Sequence, residues 1–218
     1  MAMIDYPIRY SATTKAIIEA KQKDAEFQHQ NWSDDDLTSV RHDIRHYYRE
    51  IQRGTCAYCR GPLSLATAAN CHVEHIAPKS LYKEHIFQPK NLCAICADCN
   101  TIKRAQEVIA DVPDTVDSPQ YRRTYPRSSS AFKIVHPHFD VWEEHILQFG
   151  KAYVDRSKKG CFTISACKLN RFFHNNGWEE EYMNDQKINQ LMNDYLQSDS
   201  KVKAARILTQ LRGLLFAL

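Results

Sequence analysis

Two cysteine pairs constrain this 218-residue chain more than any other feature: Cys56-Ala-Tyr-Cys59 and Cys96-Ala-Asp-Cys99. A C-x-x-C turn lets two thiolates occupy two corners of a tetrahedron at about 2.3 Å from a zinc ion, so two such pairs complete one closed structural site. The 36 residues between Cys59 and Cys96 exceed the spacing of a zinc ribbon. The ion is therefore expected to clamp an inserted element together rather than a bare finger. Gly61 suits the turn of a zinc knuckle. Cys93-Ala-Ile-Cys96 offers a third pairing, and four buried or redox thiols are the alternative to metal ligation. Cys71, Cys161 and Cys167 read as small apolar residues. The start MAMIDYPIRY lacks the basic-then-apolar layout of a secretory leader, so a reducing cytoplasm is expected, where disulfides are rare.

The remaining composition is that of a globular domain, with 43% apolar and 25% charged residues and few Gly or Pro. No window approaches eighteen uncharged apolar residues, which argues against a membrane span. Net charge of +3 permits nucleic-acid binding without diagnosing it. The expected class is α+β, mainly α. Residues 1–54 read as helical: one helix from Thr13 to about Gln30, then a second capped by Ser33 and Asp34 to Asp36, carrying Leu37, Val40, Ile44, Tyr47, Tyr48 and Ile51 inward and ending at Gly54. Residues 55–110 hold the dense Cys, His and Asn chemistry. Residues 111–131, rich in Pro, Ser and charge, read as a surface loop or linker. Residues 132–218 end in two amphipathic helices marked by Trp178, Tyr182, Ile188, Leu191, Met192 and Tyr195, then Val202, Ile207, Leu208, Leu211 and Leu215.

Between the cysteine pairs lies Cys71-His72-Val73-Glu74-His75-Ile76-Ala77-Pro78. Asn91-Leu92 precedes the second pair, and Asn100, Lys103 and Arg104 follow it. Hydrolysing a phosphodiester needs a base for water, a cation for the charge on phosphate and leaving oxygen, and groups that orient the base. His75 is the candidate base, because neutral imidazole titrates near neutral pH, and Glu74 offers a hard oxygen ligand. On a strand His72 shares a face with Glu74, which makes it a candidate further metal ligand, with strand-face packing as the plainer alternative.

This order of residues, over about 48 positions from 56 to 103, resembles the zinc-stapled HNH nucleases. The resemblance implies a small ββα-metal core with a four-cysteine zinc site, flanked by N- and C-terminal helices. It further implies that Glu74 and Asn100 hold a catalytic Mg²⁺ or Mn²⁺, that His75 deprotonates water, and that Asn91 fixes the His75 ring or its loop. Lys103 and Arg104 would contact phosphate. The family often carries Asp in place of Glu74 and His in place of Asn100. Residues 132–170 are also similar to PtuB-like HNH proteins of bacterial anti-phage systems of the Septu and retron-associated kinds, which implies a partner ATPase of the PtuA type.

Other readings compete. His72-Val73-Glu74 followed by C-x-x-C imitates the zinc deaminase signature, although Leu92 and Ile95 stand where that signature has proline. His42-Asp43-Ile44-Arg45-His46 is one substitution from a metalloprotease helix, but on the helical wheel both histidines point to solvent rather than into a cleft. His136-Pro-His138-Phe-Asp140, with Glu144 and His145, is a second polar cluster suited to a metal, a substrate contact, or turn and capping work. Residues 151–171 carry Lys151, Arg156, Lys158, Lys159, Lys168 and Arg171 against Asp155 alone. Arg122, Arg123 and Arg127 interleave with Tyr121 and Tyr125, a pattern suited to phosphate contact and base stacking or to a solvated loop. A zinc module that docks nucleic acid or an ATPase without catalysis is the alternative from another functional class.

Overall fold

The computed structural model describes residues 2–109, 111–117, 123–172 and 186–216. Helix α1, Ala12–Lys23, opens on Ser11, whose side chain accepts from the Thr14 amide. It stops at Lys23 rather than near Gln30, because the Asp24 side chain takes the Glu26 amide at 2.9 Å and offers the backbone a turn in place of a helix. A short 3-10 turn, His29–Ser33, then carries Trp32 inward. Helix α2, Thr38–Ile51, buries Val40, Ile44 and Tyr48. The acidic run before it does not cap it. No side chain bonds the α2 N-terminus; Asp34 and Asp36 instead pair with Lys21 of α1 and tie the two helices together. Tyr47 is half-buried beside Tyr48, and Gly54 takes the left-handed φ of +66° expected past a helix end.

The centre is a strand pair followed by a helix. Strand β1, His72–His75, runs antiparallel to β2, Leu92–Ile95, with His72 opposite Ile95 and Glu74 opposite Cys93. Every residue of β2 is buried. Its outer edge is paired by a side chain: Gln52, just past α2, donates to the Ala94 carbonyl at 2.8 Å and accepts the Ala94 amide at 2.7 Å. Helix α3, Ala97–Val108, starts directly after Cys96, so Cys99 falls in its first turn. The Ala97 amide is capped from outside the helix by Asn70 Oδ1 at 2.8 Å. The class is thus α+β, mainly α, with a ββα centre beside four converging cysteines.

The stretch expected as a surface loop, 111–131, is pinned to this centre where it is described. Thr115 donates to the Ile76 carbonyl, Tyr82 donates to Asp114, and Tyr125 is buried with its hydroxyl on the Lys90 carbonyl. The short helix α4, Trp142–His145, and α5, Lys158–Ala166, follow. Gly160 is required where α5 starts: a Cβ there would lie 1.9 Å from the His145 carbonyl oxygen.

The chain divides into two compact units, 1–146 with 155–168, and 147–154 with 169–218. The second unit carries most of the two-stranded sheet β3, Ile146–Phe149, and β4, Ala152–Asp155, turned at Gly150 with φ +55°. The Asn170 side chain clamps both the amide and the carbonyl of Tyr153. Helices α6, Gln186–Leu196, and α7, Lys201–Phe216, pack through Leu191, Tyr195, Ile207, Leu208 and Leu211. Met192 and Val202, expected on that apolar face, are exposed, and Trp178 and Tyr182 lie outside the described residues.

Candidate active site and metal centre

The first cysteine pair sits on a knuckle closed by the Thr55–Pro62 bridge, with the Cys56 amide bonded to the Gly61 carbonyl. The left-handed residue of this knuckle is Arg60, φ +59°, not Gly61. Gly61 matters for another reason: a Cβ on it would press to 3.3 Å of Cys59 Sγ. The second pair straddles the end of β2 and the start of α3. All four sulfurs lie within 4.8 Å of one another, and Cys59 and Cys96 approach to 3.6 Å. Tetrahedral zinc at about 2.3 Å from each sulfur requires separations of about 3.8 Å, so the set fits that ion. Hydrogen bonds from Cys56 and the other thiols, with the Gly61 amide, hold the Cys59 thiol below its ordinary value, and Cys96 is drawn down to about 7 by Cys56, while burial pushes Cys56 up and the neighbouring thiols push Cys99 up. The thiolate is the ligating form.

Cys93, the third pairing on paper, faces Glu74 across the ladder and is no part of the cluster. Cys71 and Cys167 are buried as expected of small apolar residues, whereas Cys161 is exposed. A deaminase would need two cysteines beside His72; Cys96 and Cys99 converge on Cys56 and Cys59 instead.

A cleft of about 490 Å³ lies beside β1, and His72, Glu74, His75, Asn100, Lys103 and Arg104 all border it. The His75 ring is 5% exposed, with its edge against Trp32 at 4.6 Å between ring centres. Its Nε2 lies 3.1 Å from the Ile86 carbonyl. A carbonyl only accepts, so Nε2 carries the proton and Nδ1 holds the lone pair. Among the described residues Nδ1 has no partner. Burial first, then the nearby Lys79 charge, lowers this imidazole to about 3, which keeps it neutral.

Glu74 is held at one oxygen. Lys103 Nζ approaches Oε1 to 2.5 Å and the Tyr58 hydroxyl donates to the same atom at 3.2 Å, while Oε2 has no partner among the described residues. Burial penalises the Lys103 ammonium, and Glu74 outweighs that penalty, so Lys103 stays above the ordinary lysine value. Burial, then the Glu74 charge, pushes the Tyr58 phenol up, so it remains a donor. Lys103, expected on phosphate, is therefore the counter-ion of Glu74. His72 borders the cleft with Nε2 3.3 Å from the Ala69 carbonyl.

Asn91 is fully buried and touches backbone only. Its Oδ1 accepts the Ala77 amide at 2.7 Å, and its Nδ2 donates to the carbonyls of Ala77 and His85. Of the two expected roles, the structure shows contact with the loop after His75, not with the ring. Sequence reasoning missed Tyr58, Trp32, Arg41 and Arg45. Tyr58 lay within the first C-x-x-C pair, where only its neighbours drew attention; the others come from the N-terminal helical region, where the run His42 to His46 reads as a solvated helix face.

Residues 56–106 match the family model for HNH endonuclease. No curated protein matches the chain. The match spans less than a quarter of the 218 residues, contains both cysteine pairs, β1, β2 and all but the end of α3, and supports a metal-dependent nuclease acting on nucleic acid.

The remaining expected contacts with nucleic acid are dispersed. Arg122 and Tyr121 lie outside the described residues; Arg123, Arg127 and Lys158 are exposed. Tyr125, expected to stack on bases, is buried and bonds His136 Nε2 at 2.9 Å. Lys159 is bound to Asp140 and Ser129. Arg171 is buried, and the six cations of 151–171 divide between the two units. His42 and His46 are exposed as expected, although they border a shallow depression with Arg9, Tyr10 and Thr14. Among the described residues no helix is long and apolar enough to cross a membrane.

Proposed function

We propose that this chain is an HNH-type endonuclease that hydrolyses phosphodiester bonds of DNA or RNA, with His75 as the general base. One observation carries the reading: the His75 ring is fixed by a carbonyl at Nε2 and keeps an unpartnered Nδ1 at a cleft that Glu74 and Asn100 also border. Nδ1 accepts a proton from water as that water attacks phosphorus, and the Ile86 carbonyl stabilises the imidazolium that results. Asn91 positions the segment that carries His75. Lys103 and Tyr58 hold Glu74 through Oε1, leaving Oε2 for a cation. A carboxylate and an amide oxygen, with His72 on the same strand face, form a donor set suited to Mg²⁺ or Mn²⁺, which keeps several of its own waters. When bound there, such an ion supplies charge stabilisation to the phosphate and the leaving oxygen. The four cysteines hold zinc as a structural clamp. Through the likeness of residues 132–170 to PtuB-like proteins, the same reading extends to an effector of a bacterial anti-phage complex with an ATPase partner.

Incubating the zinc-loaded protein with plasmid, single-stranded DNA and tRNA, with Mg²⁺ or Mn²⁺ and with either withheld, tests the reading. Cleavage of at least one substrate, dependent on the added cation and lost in Glu74→Gln with zinc content unchanged, is expected. Nucleic acid bound but left uncut would favour the zinc module without catalysis.

A further inference from the structure

We infer that Arg45, on α2 and outside the segment matched to the nuclease family, contacts a backbone phosphate of the nucleic acid, together with Arg104 of α3. The inference rests on the nuclease reading and deepens it. The cleft is bordered by the cations Arg41, Arg45, Lys79, Lys103 and Arg104, and by one acidic residue, Glu74. Two of these cations are committed. Lys103 is paired with Glu74, and Arg41 donates to the carbonyls of Trp32 and Asp34 and to Thr38 Oγ1. Arg45 is half-buried, Arg104 is exposed, and among the described residues neither makes a hydrogen bond or an ion pair.

A guanidinium stays charged in proteins and carries five donors. Withdrawing part of it from water without an acceptor costs free energy, which an anion with two accepting oxygens, such as a phosphodiester, recovers. The helix explains why Arg45 stands where it does. Val40, Ile44 and Tyr48 form the buried stripe of α2. Arg41 and Arg45 each follow a stripe residue by one position and lie four apart, so they share the flank that borders the cleft. Arg41 closes the structure under that flank, and Arg45 is left for an external oxyanion. The cleft that offers His75 Nδ1 and Glu74 Oε2 thus has a cation at its N-terminal wall that pairs with no acidic group among the described residues.

Fluorescence anisotropy tests this, with a fluorescein-labelled duplex of about 20 base pairs and its single strand as probes, Ca²⁺ replacing Mg²⁺ to prevent cutting, and salt varied from about 50 to about 300 mM. Arg45→Ala is expected to lower the slope of log affinity against log salt by about 0.9 for duplex or about 0.7 for single strand, one phosphate contact's worth. It should also weaken binding by about tenfold, as expected for one charge-assisted hydrogen bond. Arg45→Lys should keep the slope and recover part of the affinity. Zinc content and melting temperature should match wild type, and Lys15→Ala, which removes an exposed charge of α1 away from the cleft, controls for net charge. An Arg45→Ala slope equal to that of wild type or Lys15→Ala overturns the inference and leaves the nuclease reading standing. A wild type that binds neither probe and cuts nothing overturns the nuclease reading, and this inference with it.

Discussion

The chain has two histidine-rich polar clusters of similar make-up, His72-Val-Glu74-His75 and His136-Pro-His138-Phe-Asp140, and folding treats them oppositely. In the second, Asp140 accepts from the His136 amide at 2.7 Å, from Ser129 and from Lys159, and His145 stands 3.8 Å away. The His136 ring meets Tyr125 and the His138 amide, and His138 Nε2 meets the Leu92 carbonyl. That cluster turns the chain and props β2. In the first cluster His75 is anchored at Nε2 and Glu74 at Oε1, and each has a second atom left over beside a cleft. Residue types do not separate a site from a scaffold. Nor does a leftover atom alone, since His138 Nδ1 is also buried without a partner among the described residues; the leftover atoms of the first cluster differ in standing beside a cleft.

The comparison can be pressed hardest at the cysteines beneath both clusters. Cys56→Ser is expected to eliminate zinc binding and unfold the ββα centre, since structural zinc contributes on the order of 10 kcal/mol of apparent folding free energy. Metal analysis with circular dichroism reads both effects, and a folded, zinc-free variant would remove the clamp from the account. Next come the two clusters themselves. His75→Ala should cut cleavage by about 10²- to 10⁴-fold with little change in melting. Asp140→Asn should instead cost about 3 to 5 kcal/mol of stability by stranding the Lys159 ammonium, and leave turnover per folded molecule near wild type. A reversed pattern would exchange the roles of the two clusters.

The most gradual effect is acid sensitivity. Burial, then the Lys90 charge, lowers His138 to about 4, and burial with the neighbouring His138 and Lys159 charges also lowers His136 well below its ordinary value. An unfolded histidine titrates near 6.5. Between about 6.5 and about 4 the unfolded chain therefore holds more protons than the folded one, and stability falls as pH falls, by about 1.4 kcal/mol per pH unit for each such histidine. Denaturant unfolding across that range should show the slope, and His138→Gln should flatten it.

Much of the centre was legible because its signals are local. Two C-x-x-C turns favour four convergent sulfurs wherever the chain between them goes, and the run His72 to His75 forms β1, all of which borders the cleft. The α2 stripe of Val40, Ile44 and Tyr48 follows from helical period. Contacts set by distant parts of the chain were not legible. Nothing near Lys103 in sequence says that it neutralises Glu74 rather than a phosphate, and Tyr125 among arginines and prolines looks solvated until the fold buries it under His85 and His136.

By itself, the order of residues determined the sulfur cluster and which histidine and carboxylate stand side by side, since spacing acts over a turn or a strand, while the ββα centre is expected through the resemblance to the HNH nucleases. Only the tertiary structure decided which atom of each is consumed, which cation stays unpaired, and that the N-terminal helical region supplies a wall of the cleft. Hydrogen bonds and burial join residues far apart in sequence, as the Ile4 amide to the Pro137 carbonyl and Trp142 to Tyr58, and no local pattern encodes such a pairing.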